Sequence, residues 1–326
     1  MHTITGPESH WGKNNNYVST EQEKRKRMSD WEPIFRSWAC PPSKTEEQRC
    51  QNAESMIRNA IESNERLNSL NIDVAGQGSY KANTNVRLDS DVDVRVSYNE
   101  VFYYDLENGV DKGELGLEGA SVDSLSPSQF KLLIWEALRA KFGDGVEWGS
   151  KAFKVKENSY RIVSDVVPTT QYRRYYRDQN GTIRYHRGVV LYPDSGPRII
   201  NWPDQTLRNG IDRNNLLGRR YKSVIRIIKR LRNNMQEEGI SEANNIASFL
   251  IECLVWNSPN WCFGHELIAE DVKKVLGQVW YESLEARRCS EWGEVNELKY
   301  LFRESQPWTI DQASNFLWSA KQYLGF

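Results

Sequence analysis

The run Asp91-Val92-Asp93-Val94-Arg95-Val96 restricts the fold more than any other stretch of the chain. Charged and apolar residues alternate there with a period of two, the period of a strand with one packed and one polar face. Residues two apart on a strand point the same way, so Asp91 and Asp93 present their carboxylates side by side while Val92 and Val94 enter a core. Adjacent carboxylates repel, and a divalent cation removes the conflict by supplying opposite charge to hard oxygen ligands. Asp165 is the best candidate for a third acid, because it lies in the β-branched run Arg161-Ile162-Val163-Ser164-Asp165-Val166-Val167, where a lone carboxylate would be costly. Such a set suits two ions ~3.5–4 Å apart, one lowering the pKa of an attacking hydroxyl and one neutralising a leaving pyrophosphate. Mg²⁺ is the expected ion and Mn²⁺ the alternative.

Ahead of these acids stands Gly78-Ser79-Tyr80. A glycine lets the backbone approach a phosphate, and the Ser79 hydroxyl with neighbouring N–H groups can cradle the β- and γ-phosphates of a nucleotide. Taken singly, each half reads as a strand-to-helix turn or as a solvent-facing Asp-x-Asp. Their conjunction, with a third acid on a later strand, favours the chemical reading.

Along the rest of the chain, residues 1–45 are polar and contain Pro41 and Pro42, which reads as an arm with one short helix around 27–38. Apolar positions at helical spacing then predict one long amphipathic helix over 46–70, followed by strands at 71–77 and 91–98. Residues 126–142 open with Ser126 or Ser128 as N-cap and form a further helix. Short strands are expected at 153–155, 159–169, 183–186 and 189–192. Beyond Trp202-Pro203 the pattern turns helical, with the clearest helices at 219–237, 242–256, 267–288 and 310–323. The fold class is therefore α+β: an arm (1–45), a mixed sheet-and-helix lobe (46–203) and a helical lobe (204–326), with the ligand site in the cleft between the lobes.

A formal net charge of −1 argues against a long nucleic-acid footprint, which draws its energy from many phosphate contacts. Basic residues do concentrate locally, from Arg208 to Arg232 with Asp212 the single acid, as either a solvated helix face or a phosphate site. No apolar run reaches the ~18 residues of a membrane span, and residues 1–27 lack a secretory signal's apolar stretch, so the cytoplasm is the expected address. The five scattered cysteines suggest neither zinc nor disulfides, and His2, His10, His186 and His265 form no ligand-spaced cluster. Phe249 reads as core or as a base-stacking face. The tyrosines 172, 175 and 176, interleaved with arginines, read as an acceptor pocket or as an exposed strand and turn.

Gly78-Ser79, eleven intervening residues and Asp-Val-Asp-Val resemble the signature of the polymerase-β-like nucleotidyltransferase superfamily. The longer string GSYKANTNVRLDSDVDVRV is similar to the CD-NTases, the cyclic-oligonucleotide synthases of bacterial anti-phage (CBASS) defence related to animal cyclic GMP-AMP synthase. SDVVPTTQYRRY, RIINWP and YKSVIRIIKRLRN extend the likeness over roughly 46–256. The resemblance implies a polymerase-β-like lobe with a long spine helix, a helical second lobe, and nucleoside triphosphates (ATP, GTP, UTP or CTP) as substrates. It implies two-metal joining of nucleotides into a ring with release of pyrophosphate, linear transfer of the oligoadenylate or tRNA-tailing kind being the alternative and a catalytically silent nucleotide-binding module a weaker one. Asp91, Asp93 and Asp165 would then be metal ligands, with Asp165 near the attacking ribose hydroxyl. Gly78 and Ser79 would hold the donor triphosphate together with Ser248 and Lys229, or Lys222 in place of Lys229. Partners implied are an effector reached through the nucleotide product, and a protein attached to the tail 322–326; no membrane contact is implied.

Overall fold

The structure, a computed structural model, describes residues 21–86, 91–117 and 124–326. Its elements follow in the order α1 (Glu21–Ala39), α2 (Lys44–Glu62), α3 (Glu65–Asn68), β1 (Ile72–Gln77), α4 (Gly78–Ala82) and β2 (Val92–Leu106). Then come α5 (Pro127–Phe142), β3 (Val146–Trp148), β4 (Phe153–Val155), β5 (Ser164–Arg177), β6 (Ile183–Leu191) and β7 (Ile199–Asn201). The remainder is helical: α6 (Pro203–Leu216), α7 (Arg220–Glu237), α8 (Ser248–Trp256), α9 (Ile268–Ser283) and α10 (Ile310–Leu324).

One seven-stranded mixed sheet organises the first lobe, in the order β1-β2-β5-β4-β3, with β6 on the far part of β5 and β7 on β6. β2 and β5 run parallel; the other pairs are antiparallel. Val92, Val94, Val96 and Val166 are fully buried against Ile57 and Ala60 of α2 and Ile134 and Leu138 of α5. Removing one such side chain from water contributes ~1.5–3 kcal/mol, which fixes the face of β2 that points inward and hence the face that carries its acids. Helix α5 starts as expected, because Ser126 and Gln129 form a reciprocal capping box with Pro127 in the first turn.

The helix expected over 46–70 is broken. Ser63 ends α2, and the Asn64 side chain accepts the Leu67 N–H at 3.0 Å to start α3. Both residues offer the backbone a local hydrogen bond that competes with helix propagation. The strand expected at 159–169 begins at Ser164 and runs on to Arg177, and the two strands expected at 183–192 are one, β6. Strands β3 and β7 and helix α6, with Pro203 in its first turn, are additions to the expected elements. Helix α8 starts at Ser248, since 241–243 form a separate tight turn.

A second core belongs to the helical lobe, and Phe35 of α1 lies wholly within it beside Ile225, Ile228 and Phe316. The segment read as an arm therefore contributes a helix to the far lobe, its indole Trp31 Nε1 donating to the Leu324 carbonyl at 3.2 Å. The rest of the arm, residues 1–20, lies outside the described residues. Leu324 is buried and Gly325 caps α10 with φ 69°, so the tail 322–326 is tied to the fold. No helix among the described residues is long and apolar enough to cross a membrane.

Candidate active site

One transverse row of the sheet carries the site. Gln77 pairs with Asp93, Asp93 with Asp165, and Asp165 with Lys154, so β1, β2, β5 and β4 each contribute one residue. Directly opposed residues share a face, and Asp91 precedes Asp93 by the two residues that return to that face. All three acids are half-buried. The Asp93 carboxyl is pushed up to about 7, by burial first and then by the charges of Asp165 and Asp91. Asp165 is raised as well, by burial and by Asp91, with Lys154 working the other way. The Lys154 ammonium lies 3.3 Å from Asp91 Oδ2, a contact that raises its own pKa.

The carboxylates face one another without closing into a ligating set. Among the described residues no group of three His, Cys, Asp or Glu side chains is drawn tightly enough to hold an ion. Their chemistry nonetheless fits Mg²⁺ or Mn²⁺: hard oxygen donors on one face, with the ionised forms of Asp93 and Asp165 held at a cost that a divalent charge removes.

Gly78 follows Gln77 directly and so abuts Asp93. Its φ is +68°, and a Cβ there would lie 2.0 Å from Asp93 Oδ2, so only glycine fits between the carboxylate and the turn into α4. Beyond it opens a cleft of about 340 Å³, which Asp93 lines while Asp91 and Asp165 stand outside the lining. Gly78, Ser79 and Asp93 form one side; Asn201 and Trp202 at the start of α6 form another; Ser248, Phe249 and Glu252 of α8 close the third. Gly188 lets this wall form, because a Cβ there would meet Trp202 Nε1 at 2.8 Å.

Phe249 is half-buried against the helical core and tilted on Trp308 at 6.3 Å, and it also lines the cleft. The tyrosines 172, 175 and 176 belong to β5 and are absent from that lining. Tyr172 is fully buried, and Tyr176 stacks on His186 at 4.5 Å. Glu252 went unnoticed in the sequence, although an acid four residues after Ser248 in the apolar run Ser248–Trp256 shares that serine's helix face.

Lys229 is placed differently from the expectation. It is 1% exposed and absent from the cleft lining, its ammonium donating to Glu252 Oε1 at 2.5 Å and to the Thr84 carbonyl at 3.1 Å. Two of the three N–H donors of the ammonium are thus directed to buried partners of the protein itself. Lys222 is half-buried on the same helix, its pKa lowered by burial and by Arg226, with Glu252 opposing the shift. It too is outside the cleft lining. Ser248 faces the cleft, its hydroxyl accepting from Arg232 Nη2 at 3.1 Å.

Much of the basic run is held by main-chain carbonyls, while Arg208 and Arg219 stay exposed. Arg226 donates to Ala39 O and Asn83 O, Arg230 to Ser37 O and Val86 O, and Arg232 to Ile246 O. Arg213 donates to Trp256 O and Ser258 O. His265 also has a partner that spacing did not suggest, Asp271 Oδ1 at 2.8 Å from its Nδ1, outside the cleft.

Comparison with known proteins shows the family of the chain. A cyclic dipyrimidine nucleotide synthase, CdnE of Legionella pneumophila, is 42% identical over 298 residues, 90% of this chain and 98% of the relative. The chain belongs to the CD-NTase family. A second cyclic dipyrimidine nucleotide synthase CdnE, from Cecembia lonarensis, is 40% identical over 89% of this chain and 97% of the relative. The solved Rhodothermus marinus CdnE c-UMP-AMP synthase with Apcpp and Upnpp superposes with a TM-score of 0.77 at 26% identity, covering 90% of this chain and 97% of that one. Residues 208–325 match the family described as the cGAS/DncV-like nucleotidyltransferase C-terminal helical domain. This CD-NTase is accordingly a nucleotidyltransferase of the cyclic-nucleotide-synthase group, with a mixed-sheet lobe and a helical lobe.

Proposed function

We propose that this CD-NTase joins two pyrimidine nucleoside triphosphates into a cyclic dinucleotide. The observation that carries the chemistry is the row Gln77, Asp93, Asp165 and Lys154, with Gly78 and Ser79 seated against Asp93 at the cleft. The two relatives at 42% and 40% identity, both named for dipyrimidine products, support the choice of bases.

In this reading Asp91, Asp93 and Asp165 hold two Mg²⁺ ions, which when bound lower the pKa of the attacking ribose hydroxyl and neutralise the leaving pyrophosphate. Ser79 donates its hydroxyl to the donor phosphates, with Ser248 facing them across the cleft. Asp165, the acid expected beside the attacking ribose hydroxyl, takes its proton. That oxygen bonds to the α-phosphorus, the bond to the bridging oxygen breaks, and pyrophosphate leaves; a second round between the same two nucleotides closes the ring. Asn201, whose side chain makes no hydrogen bond among the described residues, offers the bound base both a donor and an acceptor. The product then carries the signal to an effector, in anti-phage defence.

Incubation with all four triphosphates and Mg²⁺ or Mn²⁺, followed by phosphatase treatment and mass analysis, tests the proposal. A phosphatase-resistant cyclic dipyrimidine dinucleotide is expected. Phosphatase-sensitive linear oligomers would replace ring closure with linear transfer, and a purine-only ring would remove the assignment of bases.

A further inference from the structure

The turn that carries Ser79 is suspended from the helical lobe. The Thr84 N–H donates to the Ser79 carbonyl at 2.9 Å, so Thr84 closes the turn of which α4 is the body. Both of the other polar groups of Thr84 are held from α7 and α8: its carbonyl by Lys229 Nζ at 3.1 Å and its hydroxyl by Glu252 Oε1 at 2.8 Å. The hydroxyl has a single proton, and this contact to a carboxylate outcompetes its 3.4 Å approach to the Ser79 carbonyl. Lys229 and Glu252 complete the ring with their own 2.5 Å contact.

Every member of this ring is shielded, with Thr84 2%, Lys229 1% and Glu252 6% exposed. On either side, Arg226 takes the Asn83 carbonyl at 2.6 Å and Arg230 the Val86 carbonyl at 3.3 Å, so segment 83–86 takes its place from α7. A buried ion pair contributes little net stability compared with an apolar pair of the same volume. What it does supply is direction, because each donor and acceptor fits one arrangement of the turn.

We propose that Lys229, Glu252 and Thr84 are positioning residues, which fix the Gly78-Ser79 turn over the cleft. The proposal rests on the reading of Ser79 as a contact for the donor triphosphate. It gives the helical lobe a part in nucleotide binding.

The experiment is steady-state synthesis by the full chain, with melting curves recorded alongside. Thr84→Val removes a hydroxyl that the structure keeps away from the cleft; the expected result is a nucleotide KM raised about tenfold, with kcat and Tm nearly unchanged, as for a small displacement of a binding group. Thr84→Ser should restore KM. Lys229→Met combined with Glu252→Gln removes both charges together and should raise KM at least as far, since Glu252 also lines the cleft; adding Thr84→Val to it should cost nothing further. This double variant carries the test if Thr84→Val melts below the assay temperature. Ser79→Ala separates the two levels of the argument. If Ser79→Ala raises KM while Thr84→Val and the double variant leave it unchanged, the positioning role is overturned and the site stands. If Ser79→Ala has no effect, the assignment of Ser79 fails and the positioning role fails with it.

Discussion

Two clusters of like charge lie on either side of the cleft, and the fold treats them in opposite ways. The acids Asp91, Asp93 and Asp165 share one face of the sheet, with Lys154 against Asp91 as their cationic neighbour, and Asp93 and Asp165 titrate above the usual carboxylate range. The bases Arg226, Lys229 and Arg230 face carbonyls at the ends of α1 and α4, with Glu252 completing the set. Repulsion left standing at a cleft marks a place where a ligand supplies the missing charge. Repulsion already neutralised by buried partners marks architecture, and net basicity along the sequence does not distinguish the two.

The sharpest way to break the comparison is at the acids. Asp91→Ala with Asp93→Ala is expected to reduce cyclic-dinucleotide formation by at least ~10³-fold, the scale of loss for groups that stabilise a transition state. The melting temperature should be equal to or above the parent's, because repulsion is relieved. Loss of the fold would move the acids into the architectural class. Lys229→Met should do the reverse. Leaving Glu252 charged and buried without its partner is expected to cost about 3–5 kcal/mol in a denaturant titration. A change within a few tenths would show that the pair is not buried in solution.

Gly78→Ala places a methyl group against Asp93 at a positive φ. About 1–2 kcal/mol of backbone strain is expected, and activity should fall further than stability, read by comparing kcat/KM with Tm. The smallest effect is on pH. Asp93, raised from 3.8 to about 7, binds its proton more tightly in the folded chain than in the unfolded one. The stability it supports is therefore complete below its ordinary value and is lost as pH rises through about 7. Without divalent ions, melting temperature should include a decline over this window; Mg²⁺ or Asp93→Asn should remove that component. A slope indifferent to both would assign it to other groups.

The acids were legible because their signal is local: a period of two in β2 and an acid among β-branched neighbours in β5. The capping box at Ser126 and Gln129 was legible for the same reason. What escaped depends on partners far along the chain. Lys229 meets Thr84 from 145 residues away and Arg226 meets Ala39 from 187, and a bond to a main-chain carbonyl leaves no mark on the partner's side chain. Phe35 gave no hint of which core it would enter, since an apolar face specifies burial and not the element that buries it. The break at Ser63 and Asn64, by contrast, was written locally, in residues that compete with the helix for its own hydrogen bonds.

The convergence of three carboxylates on a pair of ions beside Ser79 is tested most directly by crystals grown with Mn²⁺ and a non-hydrolysable pyrimidine triphosphate. The anomalous map should show two peaks ~3.5–4 Å apart, bridging Asp91, Asp93 and Asp165, with the triphosphate against the Ser79 hydroxyl. Peaks that leave Asp165 without a metal contact, or a triphosphate seated away from Ser79, would contradict it.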